Sequence, residues 1–151
     1  LLKTKLNITK YNYMYPAELV KPMSQDLTEF GFTGLETSEA VVTALDQQEG
    51  TTLLVVNSVC GCAAANARPA AKMSIQGENK PTNCYTVFAG VNKEATEKAR
   101  EFLLPYPPSS PAIALFKDGR LVHMIERHHI EGRSAEAIAE NLTKAYDAYC
   151  K

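Results

Sequence analysis

The stretch Thr51-Thr52-Leu53-Leu54-Val55-Val56-Asn57-Ser58-Val59-Cys60-Gly61-Cys62-Ala63-Ala64 decides the fold. Its first seven residues form a short apolar run rich in β-branched side chains ahead of a glycine-containing turn. That is the pattern of a strand buried on both faces. From Ala63 to about Ile75 the composition becomes Ala-rich and helix-favouring, with Pro69 in the interior, where the missing N–H predicts a kink. Cys60 therefore stands where a buried strand hands over to a helix. Unpaired backbone N–H groups and the positive end of a helix dipole gather at such a junction. Disulfides are attacked by thiolates, and these surroundings lower a cysteine pKa from about 8.5 towards 7 or below.

Spacing adds a second argument. On a regular helix, residues two apart have Cα atoms about 5.4 Å apart, within disulfide range, but lie roughly 200° apart around the axis. Cys60 and Cys62 can therefore pair only across a turn, and Gly61, free to adopt positive φ, permits one. A disulfide closed over a single residue is expected to be strained, oxidising and easily reduced. The competing reading makes the two residues buried thiols or ligands of a zinc or iron–sulfur centre. That reading lacks a second clustered cysteine pair, and such sites need about four ligands.

Working outward, the residues before the strand predict two helices. Leu19, Val20, Met23, Leu27 and Phe30 recur at helical spacing between Pro16 and Gly31, with Pro22 a possible break. A second helix runs from Thr37 or Ser38 to Gln48. Downstream, Cys84–Ala89 reads as a strand, Asn92 as the cap of a helix whose inner face is Ala95, Ala99, Phe102 and Leu103, and Leu104–Pro111 as a proline-rich loop. Ala112–Phe116 and Arg120–Glu126 flank Asp118-Gly119, a strong hairpin signal. A last helix runs from Ser134 towards Tyr149. Strand–helix–strand favours a right-handed parallel crossover, and the hairpin must be antiparallel. The expectation is an α/β domain over residues 1–151. It comprises a lead-in (1–15), an N-terminal helical extension (16–50) and a mixed four-stranded sheet flanked by helices.

Composition limits the function. The chain has 151 residues, 45% of them hydrophobic, enough to build a core without disulfides. Sixteen basic against 17 acidic residues leave a net charge of −1, and no run of one sign marks a nucleic-acid or anionic-membrane surface. No apolar stretch approaches the ~20 residues of a membrane span, and Leu1–Tyr15 lacks the continuous apolar core of an export signal. The expected compartment is a reducing cytoplasm, where cysteines are more often catalytic or metal-binding than structural.

A paired-cysteine turn after a strand, a helix with an internal proline, and Ser110-Pro111-Ala112-Ile113-Ala114-Leu115-Phe116-Lys117-Asp118-Gly119 together resemble the thioredoxin superfamily. The likeness is closer to one family. Val55-Val56-Asn57-Ser58-Val59-Cys60-Gly61-Cys62-Ala63-Ala64, then Ala67-Arg68-Pro69, Thr86-Val87-Phe88-Ala89-Gly90, Lys93-Glu94-Ala95-Thr96, Pro108-Ser109-Ser110-Pro111 and Ile130-Glu131-Gly132 resemble the bacilliredoxins, as do Pro16-Ala17-Glu18-Leu19-Val20 and Cys150. The resemblance implies a thioredoxin-like fold with Pro111 in cis, and Ser110 and Pro111 binding substrate beside the cysteines. It also implies an enzyme that removes bacillithiol, a low-molecular-weight thiol, from proteins that carry it as a mixed disulfide. Cys60 would be the nucleophile and Cys62 the resolving thiol, with Gly61, Ala63 and Ala64 supporting the turn and helix start. Asn57, Ser58, Arg68 and Cys150 are further candidates. Bacillithiol would be a co-substrate rather than a bound cofactor. The partners would be S-bacillithiolated proteins, bacillithiol and its recycling reductase. General disulfide isomerisation on the same fold is the alternative.

The sequence departs from the family at Ala65, where glycine is common, and Cys84 has no counterpart that assigns it a role. The strand before the cysteines carries no acid, and the chain has no Trp, so the proton traffic of thioredoxin proper is not expected. Arg68 could stabilise the thiolate, but an arginine on a helix is expected to be solvated. His123, His128 and His129 lack the i, i+4 spacing of a helical metal pair and read as hairpin and loop residues.

Overall fold

All seven residues of Thr51–Asn57 are buried, as expected of a strand with apolar side chains on both faces. In the computed structural model, which describes residues 15–151, this strand is the middle of a five-stranded sheet. The elements run α1 (Ala17–Thr28), β1 (Thr33–Gly34), α2 (Ser38–Leu45), β2 (Thr51–Asn57), a π-helical turn (Ala63–Ala67) continuing into α3 (Arg68–Ser74), β3 (Asn83–Phe88), α4 (Lys93–Phe102), β4 (Ala112–Lys117), β5 (Arg120–Ile125), α5 (Arg127–Ile130) and α6 (Ala135–Tyr149). The sheet order is β1-β3-β2-β4-β5. β1, β3 and β2 are parallel, and β4 and β5 are antiparallel additions.

Two apolar layers cover the sheet, and the alternation of β2 divides them. Leu53 and Val55 pack on one face with Leu27, Ala70, Ala71, Ile138, Leu142 and Tyr146 of α1, α3 and α6. Leu54 and Val56 pack on the other with Val41, Ala44, Ala95 and Ala99 of α2 and α4. Local signals fix the ends. Thr37 Oγ1 accepts the Ala40 N–H, Ser134 Oγ accepts the Ala137 N–H, and Asp118 and Gly119 take φ of 50° and 80° at the tip of the β4–β5 hairpin.

Several expectations need correction. The four-stranded sheet has a fifth, edge strand: Thr33 and Gly34 pair with Tyr85 and Thr86, and two residues are too few to carry a periodic signal. α1 continues through Pro22, and α2 ends at Leu45 rather than Gln48. Pro69 does not kink a regular helix. The segment before it is wound as a π-turn, with the Arg68 N–H bonded to the Ala63 carbonyl, and Pro69 falls in the first turn of α3, where a missing N–H costs little. The Asn92 side chain makes no capping bond; its carbonyl instead accepts from the Thr96 hydroxyl at 2.8 Å. His128 and His129 sit on the single-turn helix α5. Of the expected lead-in, all but Tyr15 lies outside the described residues.

Leu53 is fully buried at the centre of the α1/α3/α6 layer. Leu53→Ala is expected to lower the free energy of urea unfolding by about 2–5 kcal/mol with an unchanged m-value. A loss under about 1 kcal/mol would contradict this placement of the core.

Candidate active site

β2 ends at Asn57, and the next five residues build the site. The Cys60 carbonyl accepts the Ala63 and Ala64 N–H groups at 3.1 and 3.3 Å, so Cys60 is the last residue before the helix begins. Cys60, outside the helix, and Cys62, inside it, escape the opposed directions of two residues on one helix. Their sulfurs lie 2.6 Å apart as free thiols, both half-buried. Gly61 does not supply the turn through positive φ, contrary to expectation. A Cβ built on it would meet nothing within 4 Å, so the position over the cysteines is open.

The loop is stiffened by polar side chains at the end of the strand. Asn57 Oδ1 accepts the Ser58 N–H at 2.9 Å, and its Nδ2 donates to the Met23 carbonyl at 3.1 Å. Ser58 Oγ accepts the Cys60 N–H at 3.2 Å and donates to Cys60 Sγ at 3.1 Å. Arg68 is not solvated. It is 5% exposed, and its Nη1 donates to Asn57 Oδ1 at 2.9 Å and to the Ser58 carbonyl at 3.0 Å. Its Nε pairs with Asp26 Oδ2 at 3.2 Å, and Lys72 holds the other oxygen at 2.5 Å. The expectation failed because a side chain's exposure depends on which helix packs opposite, and α1 delivers Asp26 there. Asp26 itself carried no local signal.

These contacts split the two thiols electrostatically. Burial pushes Cys60 up, but it is outweighed by hydrogen bonds from the Cys62 thiol, the Ser58 hydroxyl and the backbone of Ala63 and Cys62, so its pKa falls below the ordinary value. Cys62 is pushed up by burial, by its own hydrogen bond to Cys60 and by the Cys60 charge. The two shifts run in opposite directions, so Cys60 is the sulfur of the pair that ionises more readily.

Antiparallel pairing of Val56 with Ala112 sets Pro111 and Ser110 beside Asn57 and Ser58, one and two steps further along the two chains. The Ser110–Pro111 bond is cis, as expected; so is Leu104–Pro105, which the sequence did not signal. Arg127 donates from Nη1 to the Ser110 carbonyl at 3.1 Å, a contact invisible in the sequence because the hairpin lies between them. Cys150 is brought elsewhere. Its thiol lies near Thr51, the first residue of β2, at the opposite end of the strand from Cys60. Cys84, whose backbone pairs with Leu53, has a thiol pushed by burial to about 11. Ala65 is exposed.

Among the described residues, the one group of three metal-capable side chains is Glu126, His128 and His129. It does not include the cysteines. His129 Nδ1 accepts the Glu126 N–H at 3.2 Å while the Glu126 carbonyl accepts the His129 N–H at 2.9 Å, which closes the single turn of α5. The first of these bonds occupies the His129 Nδ1 lone pair.

Removing the buried guanidinium leaves Asn57 and Ser58 without their shared donor. Arg68→Ala is expected to destabilise the fold by about 2–4 kcal/mol, and Arg68→Lys to recover only part of this, because an ammonium cannot span three acceptors. A loss below about 1 kcal/mol in urea unfolding of Arg68→Ala would contradict the clamp.

Comparisons with known proteins identify the fold and the family. A family model described as "Disulphide isomerase" matches residues 15–150. A bacilliredoxin of Cytophaga hutchinsonii is 59% identical over 134 residues, covering 89% of this chain and 98% of that one. A bacilliredoxin of Halalkalibacterium halodurans is 52% identical over 137 residues, covering 91% and 95%. Among solved structures, the Malassezia sympodialis thioredoxin Mala s 13 superposes with a TM-score of 0.57 at 13% identity, over 80% of this chain and 92% of that one. Oxidised thioredoxin O2 of Arabidopsis thaliana gives 0.54 at 15% identity, over 78% and 96%. At these identities the two thioredoxins establish the fold, and the closer relatives establish the family. A thioredoxin fold presenting a paired-cysteine turn, with relatives this similar over nearly their whole length, means that the chain belongs to the bacilliredoxin family and is a thiol–disulfide oxidoreductase.

Proposed function

We propose that this enzyme removes bacillithiol from S-bacillithiolated proteins, with Cys60 as nucleophile and Cys62 as resolving thiol. The observation that carries the reading is the pair itself: two half-buried free thiols with their sulfurs in contact at the end of the central strand, the surroundings of Cys60 lowering its pKa and those of Cys62 raising it. The relatives named bacilliredoxins support the choice of small thiol.

In the first step the Cys60 thiolate attacks the bacillithiol sulfur of the mixed disulfide. A Cys60–bacillithiol bond forms, the protein–bacillithiol bond breaks, and the protein thiolate leaves with the electron pair. In the second, either Cys62 attacks Cys60 Sγ and expels bacillithiol, or a second bacillithiol attacks the bound one and leaves as the symmetric disulfide. Bacillithiol and its recycling reductase would then return the electrons. Asn57, Ser58 and Arg68 hold the nucleophile in place, and Gly61, Ala63 and Ala64 form the turn and helix start around it. Ser110 and cis-Pro111 receive the substrate. A cleft of about 420 Å³, lined by Pro107, Pro108, Ser109 and Ser110 together with α5, adjoins this edge and gives room for the body of a small thiol.

The chain works as one unit in a reducing cytoplasm, without nucleic acid or membrane as partner. Among the described residues, no helix is long and apolar enough to cross a membrane. Disulfide isomerisation by the same attack is the second reading, favoured by the description of the matching family model.

Cys62→Ala protein mixed with a bacillithiolated model protein is expected to accumulate one bacillithiol on Cys60, read by mass spectrometry, while Cys60→Ala protein remains unmodified. Transfer to Cys84 or Cys150 instead, or no transfer, would overturn the assignment.

A further inference from the structure

Apart from the exchange cleft, the molecule holds a second hollow that the proposed chemistry does not use. Its volume is about 270 Å³, and it lies at the edge of the sheet, where β5 meets α5 and the start of α6. The two hollows share no lining residue, and the turn of α5 divides them: Glu126, Arg127 and His128 line the cleft, whereas His129 lines the cavity. Pockets that hold drug-sized ligands measure roughly 300–1,000 Å³, so this one suits a smaller molecule.

Its walls are of two kinds. Ile125 and Ile138, both buried, form an apolar side with Met124. The polar side consists of His123, His129, Arg133 and Asn141, and no aspartate or glutamate lines the cavity. His123 Nε2 meets Asn141 Oδ1 at 2.7 Å, which uses the amide's acceptor and leaves its N–H donors. The acceptor nitrogen of His129 is already taken by the Glu126 N–H. Arg133 can only donate, and among the described residues its guanidinium has no ion-pair partner. Its backbone is fixed: its N–H bonds the Ile130 carbonyl at 3.2 Å, and Asn66 Nδ2 donates to the carbonyls of both Ile130 and Arg133. Ala137, also on the wall, is the third residue of α6, so the positive end of a 15-residue helix adds to the Arg133 charge. Glu136 in the same turn is exposed and does not line the cavity.

The cavity thus offers donors and positive charge on one side and apolar surface on the other, with no anionic acceptor. A ligand that fits must bring oxygen acceptors and a negative charge on an apolar body. We infer that this cavity is a binding site for a small organic carboxylate. The carboxylate is met by Arg133 and Asn141, and the apolar body lies against Ile125 and Ile138. A guanidinium presents parallel N–H groups that match the two oxygens of a carboxylate, and such charge-assisted bonds are the strong ones. No cysteine takes part.

The experiment titrates nitrogen-15-labelled protein with sodium benzoate and follows the backbone amide resonances. Benzoate is expected to move the amides of Ile125, His129, Arg133 and Ile138 together and to half-saturate them at about 1 mM. Acetate lacks the apolar body, benzyl alcohol the charge, and inorganic phosphate the apolar body again; each is expected to bind at least about tenfold more weakly. Arg133→Gln, which alters an exposed side chain, is expected to keep the native spectrum outside this region and to weaken benzoate at least about tenfold. Four results would each overturn the inference: no saturation by about 20 mM benzoate, shifts confined to other surfaces, equal binding of benzyl alcohol or phosphate, or benzoate affinity unmoved in Arg133→Gln. The readout does not depend on thiol exchange, so its outcome is separate from that of the bacillithiol-transfer experiment.

Discussion

A buried guanidinium fastens the end of the central strand to the helix that follows it. Arg68 reaches back from the first residue of α3 to the Asn57 side chain and the Ser58 carbonyl, and its charge is met by Asp26 from α1. Burying a cation is costly unless it is paired and its donors are filled, and here three acceptors are supplied by two different elements. The result is a loop with little freedom. Asn57 fixes Ser58, and Ser58 turns its hydroxyl onto the Cys60 sulfur. Arg68 thus acts on the nucleophile through the positions of Asn57 and Ser58, without touching the sulfur.

That stiffness has a chemical consequence. Burial alone would disfavour a thiolate at Cys60, and the site overcomes it with aimed donors from Cys62, Ser58 and the backbone of Ala63 and Cys62. One of those donors is itself the second thiol. The same hydrogen bond that lowers Cys60 raises Cys62, so the two sulfurs cannot both be ionised easily. An asymmetric pair is what ordered two-step exchange requires. The first attack removes the charge that held the second thiol in reserve.

Much of the fold could be read from the chain because each signal was local. The unbroken apolar run of β2, the Asp118-Gly119 hairpin, and the Thr37 and Ser134 caps each depend on a few neighbouring residues. So does the placement of Cys60 and Cys62 at the strand end. What could not be read depends on packing across the molecule. Strand β1 is two residues long and exists only because β3 offers an edge. Arg68 is buried because α1 crosses it, and Arg127 reaches Ser110 only once the hairpin folds back. Cys150 is only a further candidate in sequence, and the length of β2 separates it from Cys60.

The central claim is that one sulfur of the pair ionises more readily than a free thiol and its neighbour less readily. It is tested most directly in the reduced native protein by timing alkylation at each cysteine across pH, with the two sites resolved by peptide mass. The account predicts a midpoint for Cys60 below the roughly 8.5 of a free thiol and one for Cys62 above it. Coincident midpoints, or the reverse order, would contradict it.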